Sequence, residues 1–184
     1  MKVADADILF IPGFGGSGPD HWQSRWEQKL SSARRLGGID FESRDPRVWT
    51  EAIKSEIDSA EKPVVLVAHS LGVAGAVAAS KAATGRVAGG FFVAPPDFSS
   101  ERAKEMELGD FGPYPRLPLA FPSFVLASRN DPFGTYDHAG DLANAWGAFL
   151  LDCGEAGHIN AESGQGPWPE GTMVFAQFLS RLKP

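Results

Sequence analysis

One stretch constrains the fold of this chain more than any other: Pro63 to Ser80, PVVLVAHSLGVAGAVAAS. It opens with Val64-Val65-Leu66-Val67, an apolar and mostly β-branched run that reads as a buried strand. A sharp turn follows through Ala68-His69-Ser70-Leu71-Gly72, and the Ala-rich segment from Val73 to Ala83 then reads as a helix. Strand, tight turn and helix with serine at the apex is the pattern of a nucleophile elbow. Such a turn strains the backbone of the serine, so the residues two positions to either side must be small. The usual form is G-x-S-x-G; here Ala68 stands in the first glycine position and Gly72 keeps the second. The competing reading is that Ser70 only caps a helix after a buried strand, since serine is a common N-cap.

The rest of the chain decides between these readings. Ile8 to Ile11 is a short apolar run stopped by Pro12-Gly13, and it reads as a buried strand. A glycine-rich loop, Gly13-Phe14-Gly15-Gly16-Ser17-Gly18, comes next. It lacks the Lys-Ser/Thr ending of a P-loop and does not match G-x-G-x-x-G with a following acidic residue, which argues against nucleotide binding. The alternative is an oxyanion loop, whose exposed N–H groups face developing negative charge. From about His21 a helix is expected, with Trp22, Trp26, Leu30 and Ala33 at helical spacing, ending before Gly37-Gly38.

Gly38 to Ser43 is the candidate second strand, and Val48 to Ala60 a helix with Ile53, Ile57 and Ala60 on one face. Val87 to Ala94 is another near-continuous apolar run, as expected of a parallel strand buried on both faces. Pro95 to Pro118 breaks the rhythm with five prolines and one short candidate helix, Ser100 to Glu107. It is too short for a domain, so at most a small flap is expected there. Further strands are expected at Phe121 to Ala127 and Ala148 to Leu151. Helices are expected at Tyr136 to Trp146 and at about Glu170 to Leu182, the last with Val174, Phe175, Phe178 and Leu182 inward. Alternating strands and helices give an α/β class with a mostly parallel central sheet flanked by helices.

Composition narrows the function classes. The 184 residues suit a single domain over the whole chain, and 43% hydrophobic with 22% charged residues is ordinary for a globular protein. A net charge of −6 argues against a general binder of nucleic acid or acidic membranes. The N-terminal apolar run is too short for a signal peptide, and nothing is long enough to span a membrane. The single Cys153 permits no internal disulfide, which fits a cytoplasmic location. No Cys/His cluster has metal-ligand spacing, and neither metal nor cofactor is expected.

A serine hydroxyl is a poor nucleophile at neutral pH and needs a base, which in turn needs an orienting acid. In the α/β-hydrolase fold these follow in the order Ser, Asp or Glu, His, each after a strand. Ser70, Asp131 in an Asn-Asp-Pro turn and His158 in a Gly-His turn satisfy that order. Asp97 is the rival acid and Asp152 a weaker one, too near His158 in sequence. His69 adjoins Ser70 and is expected to point elsewhere, and His138 lies early in a helix. The backbone N–H groups of Leu71 and Phe14 are the candidate oxyanion donors. His21, Trp22 and Trp168 are candidate substrate contacts, the tryptophans competing with a plain packing role. Leu151-Asp152-Cys153-Gly154-Glu155 formally matches L-x-C-x-E, a docking motif for pocket proteins. Because it overlaps the expected last buried strand, it is read as a chance match.

Taken together, IPGFGGSGPDHWQSRWE, VLVAHSLG, SRNDP, GHIN and GPWPEG resemble the small capless serine hydrolases of the retinoblastoma-binding-protein type. The resemblance runs from about Ile8 to Leu182. It implies an α/β-hydrolase fold without a cap domain, a Ser70-Asp131-His158 triad and esterase-like or amidase-like activity on a small acyl substrate. The departure from the common hydrolase pattern is Ala68. The alternative, from a different class, is a non-catalytic binding module that inherited the fold. That reading predicts His158 away from Ser70 and no open pocket.

Overall fold

The computed structural model describes residues 1–183 apart from 82 and 84. Six parallel strands form one sheet: β1 (Asp7–Ile11), β2 (Ala33–Arg35), β3 (Val64–His69), β4 (Val87–Val93), β5 (Ser123–Ala127) and β6 (Phe149–Asp152). Their spatial order is β2-β1-β3-β4-β5-β6. The elbow strand β3 is therefore central, buried at every position, and pairs with β1 from Asp7↔Val64 to Ile11↔Ala68. Parallel pairing requires crossovers, and right-handed crossovers put helices on both faces.

Alternation along the strands sends side chains to two cores. On one face Leu9, Leu66, Phe92 and Val125 pack beneath α2 (Pro46–Ser59), α3 (Leu71–Ser80) and α5 (Tyr136–Trp146). On the other, Ile8, Phe10, Val65, Phe91 and Phe124 meet α1 (Trp22–Glu27) and α6 (Pro169–Arg181). Phe178 of α6 is fully buried there, against Phe91 at 5.7 Å and Phe124 at 5.0 Å between ring centroids. Phe175 and Leu182 are buried as expected, while Val174 is only partly so.

Several boundaries differ from the sequence expectation. The first helix stops at Glu27, and the second strand is Ala33–Arg35 rather than Gly38 to Ser43. The second helix begins two residues early because Asp45 caps it and Pro46 takes its first position. This adds Trp49 to the inward face of Ile53 and Ile57. The elbow helix expected to reach Ala83 ends at Ser80, residue 82 lying outside the described residues. β6, expected to be buried, is an edge strand with Phe149 63% exposed. Leu151 and Cys153 of the L-x-C-x-E match pack against the second core, and Asp152 pairs with Arg129. Between β4 and β5 the chain forms no cap: a short helix α4 (Glu101–Glu105) and a 3-10 turn at Gly109–Phe111 lie against the first core through Phe98, Ala103, Leu108 and Phe111. Among the described residues no helix is long and apolar enough to cross a membrane.

Candidate active site

The elbow has the backbone its composition predicts. Ser70 sits at φ 53° and ψ −126°, a conformation that L-residues hold only where the surroundings impose it. Its N–H donates to the Val93 carbonyl at 2.9 Å, tying the apex to the end of β4. Gly72 is needed because a Cβ there would lie 2.7 Å from the Ile11 carbonyl oxygen. Ala68 faces the first core and is fully buried there. Gly13 lets the glycine-rich loop press on the serine, since a Cβ on it would come within 2.8 Å of the Ser70 Cβ. Ser70 Oγ makes no capping bond to α3.

Instead Oγ lies 2.7 Å from His158 Nε2, and His158 Nδ1 lies 2.9 Å from each carboxylate oxygen of Asp131. The side chains of His158 and Asp131 are only 9% and 5% exposed. Asp131 Oδ1 also accepts the Phe133 N–H at 2.9 Å, and the Phe133 ring lies against His158 at 4.3 Å. The two rival acids are engaged elsewhere. Asp97 accepts from Ser99, and Asp152 from Arg129 and the Gly154 N–H. The line of side chains is thus continuous, where an inert binding module was expected to have it broken.

Polar residues that sequence reasoning passed over hold the loops in register. Asn130 Oδ1 accepts from Gly157 N–H at 2.7 Å, and Ser128 Oγ accepts from Ala156 N–H at 2.9 Å, so the acid turn grips the histidine turn. Gln23, fully buried, donates through Nε2 to the carbonyls of Ile11 and Val67, both at 3.1 Å, bridging β1 and β3. Its Oε1 accepts from Ser17 Oγ at 2.7 Å, anchoring the glycine-rich loop. The signal available was the run of polar residues beside the acid and a glutamine in the first turn of a tryptophan-rich helix.

A cleft of about 330 Å³ opens over Ser70 and His158. Phe14, Leu71, Met106, Leu108 and Phe133 supply its apolar walls, and His21, Asn160 and Glu162 its polar side. Leu71 is the first residue of α3, so its N–H has no intrahelical acceptor. His21 Nδ1 accepts from the Gln23 N–H at 3.2 Å, which puts the ring proton on Nε2. Burial, then the neighbouring Arg35 and His158, lower its pKa to about 4, so the ring is neutral at pH 7. Trp22 and Trp168 do not line the cleft. Trp22 is fully buried with Nε1–H donating to the Ile159 carbonyl at 2.9 Å, and Trp168 stacks on Trp26 at 5.6 Å. A larger cavity, about 430 Å³, shares no lining residue with the cleft and reaches neither Ser70 nor His158. Among the described residues no group of three or more His, Cys, Asp or Glu is placed to hold a metal ion.

An all-parallel sheet with this elbow and this glycine-rich loop defines an α/β hydrolase without a cap domain. The chain belongs to the serine hydrolase family, whose model it matches over residues 8–177. It is similar to a YdeN-like hydrolase from Pectobacterium atrosepticum, at 34% identity over 99% of this chain and 95% of that one, with a TM-score of 0.88. The ydeN gene product of B. subtilis shares the fold at 21% identity, covering 95% of this chain and 98% of its own, with a TM-score of 0.78. The RedJ thioesterase of Streptomyces coelicolor does so at 13% identity, covering 97% and 87%, with a TM-score of 0.66. No curated protein matches the chain by sequence.

Proposed function

We propose that this serine hydrolase cleaves a small ester, thioester or amide through an acyl-enzyme on Ser70. The observation that carries the reading is the 2.7 Å approach of His158 Nε2 to Ser70 Oγ with Asp131 behind the ring. Ser70 Oγ attacks the acyl carbon while its proton passes to His158 Nε2. Asp131 accepts the Nδ1–H, holding the tautomer that leaves Nε2 free as base, and it stabilises the imidazolium that forms. The carbonyl oxygen becomes an oxyanion facing the N–H groups of Leu71 and Phe14, each donor contributing roughly 3–4 kcal/mol to the transition state. His158 then gives its proton to the leaving oxygen, sulfur or nitrogen as the bond to the acyl carbon breaks. A water, deprotonated by the same ring, releases the acid and restores the serine.

Cleft size and lining favour a short acyl group on the Phe14, Leu71, Met106 and Leu108 side. His21 Nε2–H is a neutral donor for an acceptor atom elsewhere on the substrate. A fluorophosphonate probe tests the reading. Intact protein is expected to gain one phosphonyl adduct, and Ser70→Ala none. An intact protein that neither labels nor hydrolyses any short-chain acyl ester overturns it.

A further inference from the structure

Two ring nitrogens on the polar side of the cleft remain once the fold and the proposed triad have used the others. His21 Nδ1 accepts the Gln23 N–H at 3.2 Å, so the proton sits on Nε2, and that N–H meets no acceptor among the described residues. His69 Nε2–H donates to the His158 carbonyl at 2.8 Å, so Nδ1 is a bare acceptor, and no donor among the described residues reaches it. The two residues are only 6% and 4% exposed. Neither nitrogen is sealed off, however. The buried side-chain atoms without a partner belong to Arg34, Tyr114 and His138, whereas His21 and His69 line the cleft. Their rings meet edge to face with centroids 4.9 Å apart, and the His69 ring lies 5.0 Å from that of His158. Burial, the largest influence on each, lowers the His21 pKa to about 4 and that of His69 well below 6.5. Both rings are neutral at pH 7, so the donor stays a donor and the acceptor an acceptor.

A donor and an acceptor in adjoining rings suit one kind of group. An ammonium would repel the His21 N–H, and a carboxylate would meet the His69 lone pair. An ether or carbonyl oxygen uses the first nitrogen alone. A hydroxyl uses both, accepting from His21 Nε2–H and donating to His69 Nδ1. The pair adjoins His158, which returns its proton to the leaving atom, while the apolar walls at Phe14, Leu71, Met106 and Leu108 take the acyl group. The hydroxyl therefore belongs to the alcohol side of the substrate. Resting on the hydrolase reading of Ser70, we propose that the cleft selects esters whose alcohol carries a neighbouring second hydroxyl, monoesters of a vicinal diol or polyol, and binds that hydroxyl between His21 and His69.

Three esters test this: 2-hydroxyethyl, 2-methoxyethyl and propyl butanoate. Their alcohols offer donor with acceptor, acceptor alone, and neither. With each kcat/KM divided by the rate constant for alkaline hydrolysis, the 2-hydroxyethyl ester is expected to exceed both others by about tenfold or more. This ranking in the parent protein is a test without any variant. His21→Asn keeps a side-chain acceptor for the Gln23 N–H and withdraws the N–H from the cleft. It is expected to bring the three esters within about threefold of one another while still gaining the phosphonyl adduct at Ser70, with thermal melting as the check on folding. Four results with labelling intact overturn the subsite and leave the hydrolase reading standing: none of the esters cleaved, all cleaved alike, the methoxy ester as good as the hydroxy ester, or the preference surviving in folded His21→Asn. A protein that neither labels nor cleaves any of them overturns both.

Discussion

His69 Nε2–H donates to the main-chain carbonyl of His158 at 2.8 Å. The residue preceding the elbow serine thereby holds the backbone of the proposed base. One carbonyl further on, Trp22 Nε1–H secures Ile159, whose φ of 48° is unfavourable for a β-branched residue. Two buried donors therefore fix a strained turn, and the precision of the His158 ring depends on it. His69→Leu keeps bulk and removes the donor. It is expected to lower kcat by roughly ten- to a hundredfold with KM little changed. His69→Gln, which retains an N–H, recovers part of the loss. Steady-state kinetics on a short-chain ester, with thermal melting as a check on folding, separates the two variants.

His69, together with His21, sets an acid limit on stability. His21 has its pKa lowered to about 4, first by burial, and His69 is lowered well below 6.5, again chiefly by burial. Below pH 6.5 the unfolded chain takes up protons that the folded protein cannot accept, so stability falls as pH drops from 6.5 towards 4. His21 alone accounts for about 2 kcal/mol between pH 7 and pH 5, and His69 adds in the same direction. Urea unfolding at pH 7 and pH 5 measures the loss. In His21→Gln the difference between the two pH values shrinks.

Arg44 connects the glycine-rich loop to the segment across the cleft. Its guanidinium lies over the Phe14 ring at 5.0 Å, and its Nε–H donates to the Met106 carbonyl at 2.9 Å. Because the side chain is 47% exposed, its removal costs stability little, within about 1 kcal/mol. The cleft walls lose a common anchor, so Arg44→Ala is expected to raise KM severalfold with a smaller change in kcat. Kinetics across acyl chain lengths reads this out, and unchanged KM values for all of them would contradict the linkage.

The parts of this fold that were legible in the sequence are those where burial is complete. β1, β3, β4 and β5 announce themselves as apolar runs because both faces of each are covered. The edges do not. β2 is three half-buried residues, Ala33–Arg35, paired on one side only, and its arginines serve neighbours: Arg35 donates to the Ser17 carbonyl and to Ser24 Oγ. Leu30 and Ala33 pack on the second core from a loop and a strand, so their apparent helical spacing was coincidental. Ser70, Asp131 and His158 were legible because topology alone puts residues after those strands at one end of the sheet. The grips of His69, Gln23, Ser128 and Asn130 were not, since each joins residues at least 12 apart in sequence. The two tryptophans failed as substrate contacts for the opposite reason: their rings fill the second core, and the N–H of Trp22 holds the histidine turn from behind.

The two small residues flanking Ser70 are expected to behave unequally. A methyl on Gly72 would meet the carbonyls of Pro12 and Ile11, main-chain atoms at the end of β1 that cannot move without disturbing the β1–β3 ladder. Gly72→Ala is therefore expected to destabilise by about 2–3 kcal/mol, as overpacked core sites do, and to displace the Leu71 N–H, abolishing fluorophosphonate labelling. Ala68→Gly, which restores the common elbow pattern, removes a methyl buried in the first core and loosens a strand interior. These losses sum to roughly 1–2 kcal/mol. The apex is still imposed by the Ser70–Val93 hydrogen bond and by contact with Gly13, neither of which uses the Ala68 methyl. Labelling rates of Ala68→Gly should stay within about threefold of the parent, an effect under 1 kcal/mol. Urea midpoints and labelling rates on both variants check the asymmetry, and a large rate gain in Ala68→Gly would mean that the alanine restrains the elbow.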